Sequence, residues 1–153
     1  MLPTPKKFKV VAGGAEGRSK LTAFDNALLK AGVGNVNLLK VSSILPPSCE
    51  FDADFVLPLG ALTPIAYGSI VSDVPGETIA AAVAVGVPAE ETMGVIMEFS
   101  GKCTKEEAET TIRKMVEEAF EVRNLELKEI KVCAVEHKVE KIGCAFAAAP
   151  LWY

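Results

Sequence analysis

The sequence lacks the features that mark several common classes of protein. Its four cysteines form no Cys-x-x-Cys pair, and together with the one histidine they show no zinc-site spacing. No cluster of lysine and arginine is present, and the net charge of −4 argues against nucleic-acid binding. The first residues contain no apolar core of a signal peptide, and the longest apolar runs are too short to span a bilayer. We therefore expect a soluble, cytoplasmic protein with reduced thiols and no metal.

The two common nucleotide-binding motifs are also absent. The glycine-rich segment 13–17 has neither the Gly-Lys-Ser/Thr ending of a P-loop nor the spacing of a dinucleotide site. We expect it to be a connector between a strand at Phe8–Ala12 and a helix. The length of 153 residues suits one domain. A mean hydropathy of +0.29 favours a sheet covered on both faces, or self-association.

Two stretches have the periodicity of helices. Leu21, Phe24, Leu28 and Ala31 recur at helical spacing, and Gly32 ends that pattern. The second helix is predicted from Thr104 to about Arg123, with Thr104 and Glu107 forming a capping box at its start.

Short apolar or alternating runs predict the strands. Beyond Phe8–Ala12 they are Val36–Val41, Tyr67–Asp73, Ile79–Val87, Gly94–Phe99, Leu125–Val135 and Gly143–Tyr153. Residues 58, 60 and 64, two prolines and a glycine, are expected to interrupt the chain before Tyr67. Because the strands cluster without regular alternation with helices, the pattern favours an α+β fold. We expect an αββα sandwich with mainly antiparallel sheets.

The stretch Asn35–Pro47 organises the functional interpretation. It alternates apolar and polar residues up to Val41, then places Ser42 beside Ser43, and ends at a proline pair. A proline disfavours helix at the residue before it, so both hydroxyls are expected in extended or turning backbone at a strand end. Taken alone, the stretch predicts a strand followed by a turn.

Several motifs in order give this stretch a further meaning. They are Gly34-Asn35-Val36-Asn37-Leu38, Val41-Ser42-Ser43-Ile44-Leu45-Pro46-Pro47, Asp73-Val74-Pro75-Gly76-Glu77-Thr78, Ala134-Val135-Glu136-His137, Gly143-Cys144-Ala145-Phe146-Ala147-Ala148-Ala149 and Leu151-Trp152-Tyr153. Together they resemble the pyruvoyl-dependent arginine decarboxylases, from about Val10 to Tyr153.

The resemblance implies a self-processing proenzyme. One domain, residues 1–153, would be cleaved between Ser42 and Ser43 into fragments 1–42 and 43–153. Ser43 would attack the preceding carbonyl, and elimination and hydrolysis would leave a covalent pyruvoyl group at position 43. Asn37 matches a family asparagine that assists this step. On sequence pattern alone, Asn37 is a polar residue on the exposed face of a strand.

The resemblance also implies the reaction. The pyruvoyl ketone would form a Schiff base with L-arginine, and agmatine and CO2 would be released without pyridoxal phosphate or a metal. Glu98 matches the residue that protonates the substrate carbon. As a lone carboxylate in an apolar strand it would gain a raised pKa if buried. The alternating pattern also allows Glu98 to point outward to solvent.

Substrate binding is implied at a second group of residues. Asp25 matches the carboxylate that holds the substrate guanidinium. The other positions that match the pocket lining are Leu28, Gly34, Val36 and Ser42. The resemblance implies a homotrimer with sites shared between neighbours. His137 lies in a family-like stretch but receives no role.

Two alternatives to arginine decarboxylation stay open at this level. Arg18 and Lys20 precede Asp25 and would repel a cationic substrate if they approached the pocket, so the same machinery could act on another amino acid. The chain could also be an unprocessed, non-catalytic homologue in which Ser43 remains serine.

Overall fold

The computed structural model describes residues 2–153 of the chain. These residues form two helices, α1 (Lys20–Ala31) and α2 (Lys105–Val122). The strands are β1 (Lys7–Phe8), β2 (Val11–Glu16), β3 (Asn37–Lys40), β4 (Ile44–Leu45), β5 (Glu50–Phe51), β6 (Leu62–Ser72), β7 (Thr78–Pro88), β8 (Gly94–Gly101), β9 (Leu127–Lys138) and β10 (Gly143–Trp152).

The strands form two sheets. The six-stranded sheet has the order β3-β6-β10-β1-β5, and β2 also pairs with β10. The four-stranded sheet has the order β4-β8-β7-β9. Neighbouring strands are antiparallel, except that β3 pairs with β6 and β1 pairs with β5 in parallel. The mainly antiparallel character predicted from the sequence is confirmed.

Three hydrophobic layers join the sheets and helices. Leu28 of α1 packs in one cluster with Phe146 of the six-stranded sheet. Ile112 of α2 packs in another with Ala82 of the four-stranded sheet. Between the sheets, Val83 and Ala147 belong to a third cluster. The order of layers is helix, sheet, sheet, helix, so the predicted αββα sandwich is confirmed.

The helix ends follow the capping chemistry that the sequence indicates. Gly32 ends α1 with a left-handed φ of 83°, a conformation that glycine adopts without steric cost. At the start of α2, Thr104 and Glu107 form the reciprocal bonds of a capping box. Both predicted helices are confirmed, with α2 ending one residue before the predicted Arg123.

From the sequence, a connector is predicted at Gly13 and Gly14. In the structure both glycines lie inside β2. A Cβ on Gly13 would lie 2.6 Å from the carbonyl oxygen of Ala27 and 2.8 Å from the amide nitrogen of Ala31. Glycine is therefore needed because α1 packs directly on the strand. The prediction was wrong because this glycine serves close approach and not a turn.

Pro64 was expected to interrupt the chain, but it lies within β6 and pairs with Leu39 of β3. The ladder between β6 and β10 reaches only as far as Ile65, which pairs with Pro150. The missing N–H of Pro64 therefore removes no hydrogen bond from that ladder.

The cysteines are reduced, as the sequence analysis expects. All four cysteines are free thiols, and burial raises the pKa of Cys49 and of Cys144 to about 11. Neither α1 nor α2, the helices of residues 2–153, combines the length and apolar character needed to cross a membrane.

Candidate active site

The Ser42–Ser43 peptide bond lies where the chain passes from one sheet to the other. Before it, the Val41 N–H extends the pairing of β3 by donating to the Ile65 carbonyl at 3.0 Å. After it, the Ser43 carbonyl accepts from the Ile96 N–H of β8 at 2.7 Å. The bond is thus anchored on its two sides in different sheets, with Ser42 exposed and Ser43 half-buried.

Glu98 projects from β8 into the space between the sheets. Side chains alternate along a strand, and Ile96, two residues earlier, belongs to the core between the sheets. Opposite Glu98 lies Gly68 of β6, where a Cβ would be only 3.2 Å from the Cβ of Glu98. The carboxyl therefore points inward and not to solvent. It lies about 7 Å along the strand from the residue that binds the Ser43 carbonyl.

A cavity of about 290 Å³ contains the Glu98 carboxyl. Lys40 of β3, residues 67–69 of β6 and residues 98–100 of β8 line it. The Oε2 atom of Glu98 is buried and has no hydrogen-bond partner. Burial raises the pKa of Glu98, and the nearby Lys40 ammonium partly offsets this. The site thus favours a carboxyl that keeps its proton at higher pH than an exposed one.

Lys40 and Tyr67 were missed by the sequence analysis. The Lys40 Nζ lies 4.6 Å from the centroid of the Tyr67 ring, within the range of a cation–π contact. Lys40 stands only two residues before Ser42, which was the signal available in the sequence. Its partner, however, is set by the parallel register of β3 and β6.

Four of the remaining predicted site residues lie on α1 or on the connection that follows it. Asp25 is exposed on α1, and Leu28 is buried one turn further along. Gly34 and Val36 lie in the connection from α1 to β3. A Cβ on Gly34 would lie 2.5 Å from Leu29 Cδ2, so this connection packs tightly on the helix.

Asn37 begins β3 and does not reach the Ser42–Ser43 bond. Its Nδ2 donates to the Gly60 carbonyl at 2.9 Å. The four residue steps from Asn37 to Val41 cover about 13 Å of extended strand. Asn37 therefore lies far from Ser43 within one chain.

Within a single chain, Asp25 and Glu98 lie on opposite sides of the six-stranded sheet. Asp25 lies on α1, which covers the outer face of the six-stranded sheet, whereas Glu98 contacts its inner face. The six-stranded sheet lies between these two layers. One chain thus places Glu98 two residues along β8 from Ile96, which binds the Ser43 carbonyl, and places the predicted guanidinium site on the other side of the sheet.

The charged residues near the start of α1 have other neighbours. Lys20 Nζ lies 3.8 Å from Asp73, and Arg18 lines a separate cavity with Glu16. His137, to which no role was given, binds Glu16 through its Nε2 at 2.5 Å and so connects β9 to β2. Arg18, Lys20 and His137 are not among the residues that line the Glu98 cavity.

Comparison with known proteins gives one consistent family. The family model for pyruvoyl-dependent arginine decarboxylase matches residues 7–153. A pyruvoyl-dependent arginine decarboxylase of Methanocaldococcus jannaschii is 57% identical over 150 residues, which cover 97% of this chain and 91% of that protein. One of Pyrococcus abyssi is 50% identical over 152 residues, covering 98% and 96%.

Among solved structures, a pyruvoyl-dependent histidine decarboxylase at pH 8 matches with a TM-score of 0.52 and 14% identity. The match covers 61% of this chain and 52% of that one, and it supports the fold. Since the family model matches almost the whole chain, and relatives of the same name share about half of their residues with it, the chain belongs to the pyruvoyl-dependent arginine decarboxylase family.

Proposed function

We propose that this chain makes its own pyruvoyl group at position 43 and decarboxylates L-arginine to agmatine and CO2. Family membership supports the reaction class. The observation that carries the proposal for this chain is the buried, unpartnered Oε2 of Glu98, which lies two residues along β8 from Ile96, the residue that binds the Ser43 carbonyl. A buried polar atom without a partner is costly to stability, and a catalytic role is one reason for a protein to keep such a group.

The residues around position 43 fit a pyruvoyl group. Ser43 supplies its carbon atoms, and the Ile96 N–H holds the carbonyl of that residue at 2.7 Å. The cavity that Glu98 lines leaves space for a small substrate. The group supplies a ketone that captures the substrate amine and a carbonyl that accepts the electron pair left when CO2 departs.

Formation of the group consumes the Ser42–Ser43 peptide bond and one water molecule, and it needs no external cofactor. The Ser43 Oγ attacks the Ser42 carbonyl carbon, the C–N bond breaks, and the nitrogen takes the hydroxyl proton, so that an ester replaces the amide. Loss of the Ser43 α-proton and cleavage of its Cβ–O bond free the Ser42 carboxylate. The resulting enamine hydrolyses, releasing ammonia. Anchoring of the flanking residues in different sheets restricts the movement of this bond.

Glu98 holds the proton that the substrate carbon needs after CO2 has left. A carboxyl can donate only while it is protonated, and burial raises the pKa of Glu98. Activity therefore falls as the pH rises through this raised pKa. Gly68 keeps the stem of Glu98 against the six-stranded sheet, so the carboxyl stays in the cavity.

Asp25 is proposed to bind the guanidinium from a neighbouring subunit, together with Leu28, Gly34 and Val36. Asn37 is proposed to act at the neighbour's processing site, because it lies far from Ser43 in its own chain. Such sharing accounts for two groups of residues that one chain separates. We propose a homotrimer as the assembly, since the family resemblance implies it.

The edge of the six-stranded sheet supports such an assembly. β3 is the outermost strand there, and apolar side chains beside it are exposed: Leu39 to 41%, Leu62 to 61% and Leu59 to 85%. Large exposed apolar patches on a protein surface usually mark an interface.

We expect charge at this edge to separate the subunits. Leu62→Glu places a carboxylate in the apolar patch, whereas Val122→Glu makes the same change at an exposed valine on α2. Sedimentation velocity should show trimers for the wild type and Val122→Glu and monomers for Leu62→Glu, with loss of turnover only in the last. An active wild-type monomer would contradict the assembly.

We expect Asp25→Asn to weaken arginine binding more than it slows turnover. A neutral amide cannot form the charge-assisted pair with guanidinium, so apparent affinity should fall about 10- to 150-fold. The measurement is the dependence of CO2 release on arginine concentration, with Asp73→Asn as an exposed control. Unchanged affinity would remove Asp25 from the arginine site.

Mixed assemblies test whether the site is shared. Co-expressed Ser43→Ala and Asp25→Asn chains give some sites in which the intact halves come from different subunits. These assemblies should regain activity at low arginine concentration, which neither variant shows alone. Mass spectrometry shows which assemblies contain both variants. If those mixed assemblies recover no activity, Asp25 and position 43 of one site come from the same chain.

The reaction itself is tested by supplying arginine, ornithine, lysine and histidine separately to purified protein. Agmatine and CO2 in equal amounts from arginine are the expected products. Release of CO2 from another amino acid alone would favour the same machinery with a different substrate. No CO2 from any of them, with Ser43 intact, would favour a non-catalytic homologue.

A further inference from the structure

Lys40 has a defined position at the cavity that the reaction above does not use. It is the last residue of β3, two residues before the cleavage bond. Its Nζ lies 4.6 Å from the centroid of the Tyr67 ring. That ring is itself packed, with its centroid 5.5 Å from that of Phe146 and 6.2 Å from that of Phe24. The ammonium therefore rests on a fixed aromatic face at the edge of the cavity.

Among the described residues that line the cavity, Lys40 and Glu98 are the two charged ones. From β6 the cavity receives Tyr67, which is titratable, and the uncharged Gly68 and Ser69. From β8 it receives Ser100, whose hydroxyl donates to the Ser69 carbonyl at 3.0 Å. β7, which pairs with β8, places Val83 opposite Glu98. The inner face of β10 contributes alanines.

Given the function proposed above, we propose that Lys40 is a positioning residue for Glu98: an ammonium seated on Tyr67 that favours the charged form of the carboxyl and thereby sets the upper pH limit of turnover. Two opposing influences act on this carboxyl. Burial disfavours the carboxylate and raises the pKa, and the Lys40 charge lowers it. A donor that holds its proton too firmly transfers it poorly, so the cation keeps the acid within a useful range.

The first test uses the uncleaved protein, so that it does not depend on turnover. In a Ser43→Ala background with ¹³C-labelled glutamate carboxyls, the Glu98 signal is the one missing in Glu98→Gln. We expect Lys40→Met to raise the pH at which this signal titrates. Lys40→Arg should leave it in place because the charge remains, and Lys114→Met on the outer face of α2 should also have no effect. An unchanged titration in Lys40→Met overturns the proposal.

The seat of the ammonium is tested separately. Tyr67→Phe keeps the aromatic face and should leave the Glu98 titration unchanged, whereas Tyr67→Leu removes it and should move the titration in the direction of Lys40→Met. Thermal unfolding of each variant shows whether it is folded. An equal response of the folded Phe and Leu variants overturns the role of the ring.

The second test uses cleaved enzyme and the pH profile of kcat/KM. Lys40→Met should move the high-pH limb upward, because the acid stays protonated to higher pH, and Lys40→Arg should not. A shifted titration with an unmoved limb overturns the proposal, since Glu98 then does not set the limit. That outcome also counts against Glu98 as the proton donor. Whether the protein releases agmatine from arginine is measured separately and does not depend on the Glu98 titration or on the pH profile.

Discussion

Ser43→Ala is expected to remain one uncleaved chain and to release no CO2 from arginine. The substitution removes the hydroxyl that attacks the Ser42 carbonyl, so neither the ester nor the later pyruvoyl group can form. It leaves the backbone carbonyl of residue 43, which binds Ile96, unchanged. The fold should therefore be retained. A denaturing gel and a CO2 assay on the purified variant check both expectations.

Ser42→Ala is the matched control for this prediction. It removes the neighbouring hydroxyl, which is exposed and is not the attacking group. Fragments 1–42 and 43–153 should still appear, with any effect confined to substrate binding. Cleavage of Ser43→Ala at the same bond would assign the nucleophile to another group.

Glu98→Gln is expected to cleave itself normally and to lose about two to four decades of turnover, the range typical of general acid catalysis. Glutamine preserves the size of the side chain against Gly68 but carries no ionisable proton. The activity that remains should no longer fall with pH at the limb assigned to Glu98. Single-turnover release of CO2, followed across pH, separates this effect from a change in substrate binding.

The control for Glu98→Gln is Glu118→Gln, an exposed glutamate on α2. It should change neither cleavage nor turnover. If Glu98→Gln instead accumulates as an uncleaved chain, Glu98 serves maturation, and its role as the donor to the substrate is lost.

The fold could be predicted wherever local chemistry determines it. The capping residues of α2 and the glycine after α1 give the helix ends, and the strand-rich order gives the class. The direction of Glu98 could not be predicted, because both faces of the four-stranded sheet are covered. Met97 packs towards α2 and Ile96 packs between the sheets. Alternation then distinguishes two buried faces, not a buried face from an exposed one.

The site could be predicted only in part for a related reason. The identity of the Ser42–Ser43 pair is local, but its passage between two sheets depends on pairings with Ile65 and Ile96. The contact of Lys40 with Tyr67 likewise depends on the register of β3 and β6. Gly13 was wrongly predicted to lie in a connector, because the residues that require a glycine there belong to α1, a separate element of the fold. Long-range pairing, and not residue type, determined each of these outcomes.

The intact mass of the purified wild-type protein under denaturing conditions shows whether the chain cleaves itself between Ser42 and Ser43 and carries a pyruvoyl group. We expect two masses, those of residues 1–42 with a free carboxyl end and of residues 43–153. The larger fragment should be lighter by one ammonia than a serine-terminated fragment should be, because its first residue is a pyruvoyl group. A single full-length mass in a preparation that converts arginine to agmatine at a normal rate would show that the reaction does not need a pyruvoyl group at position 43.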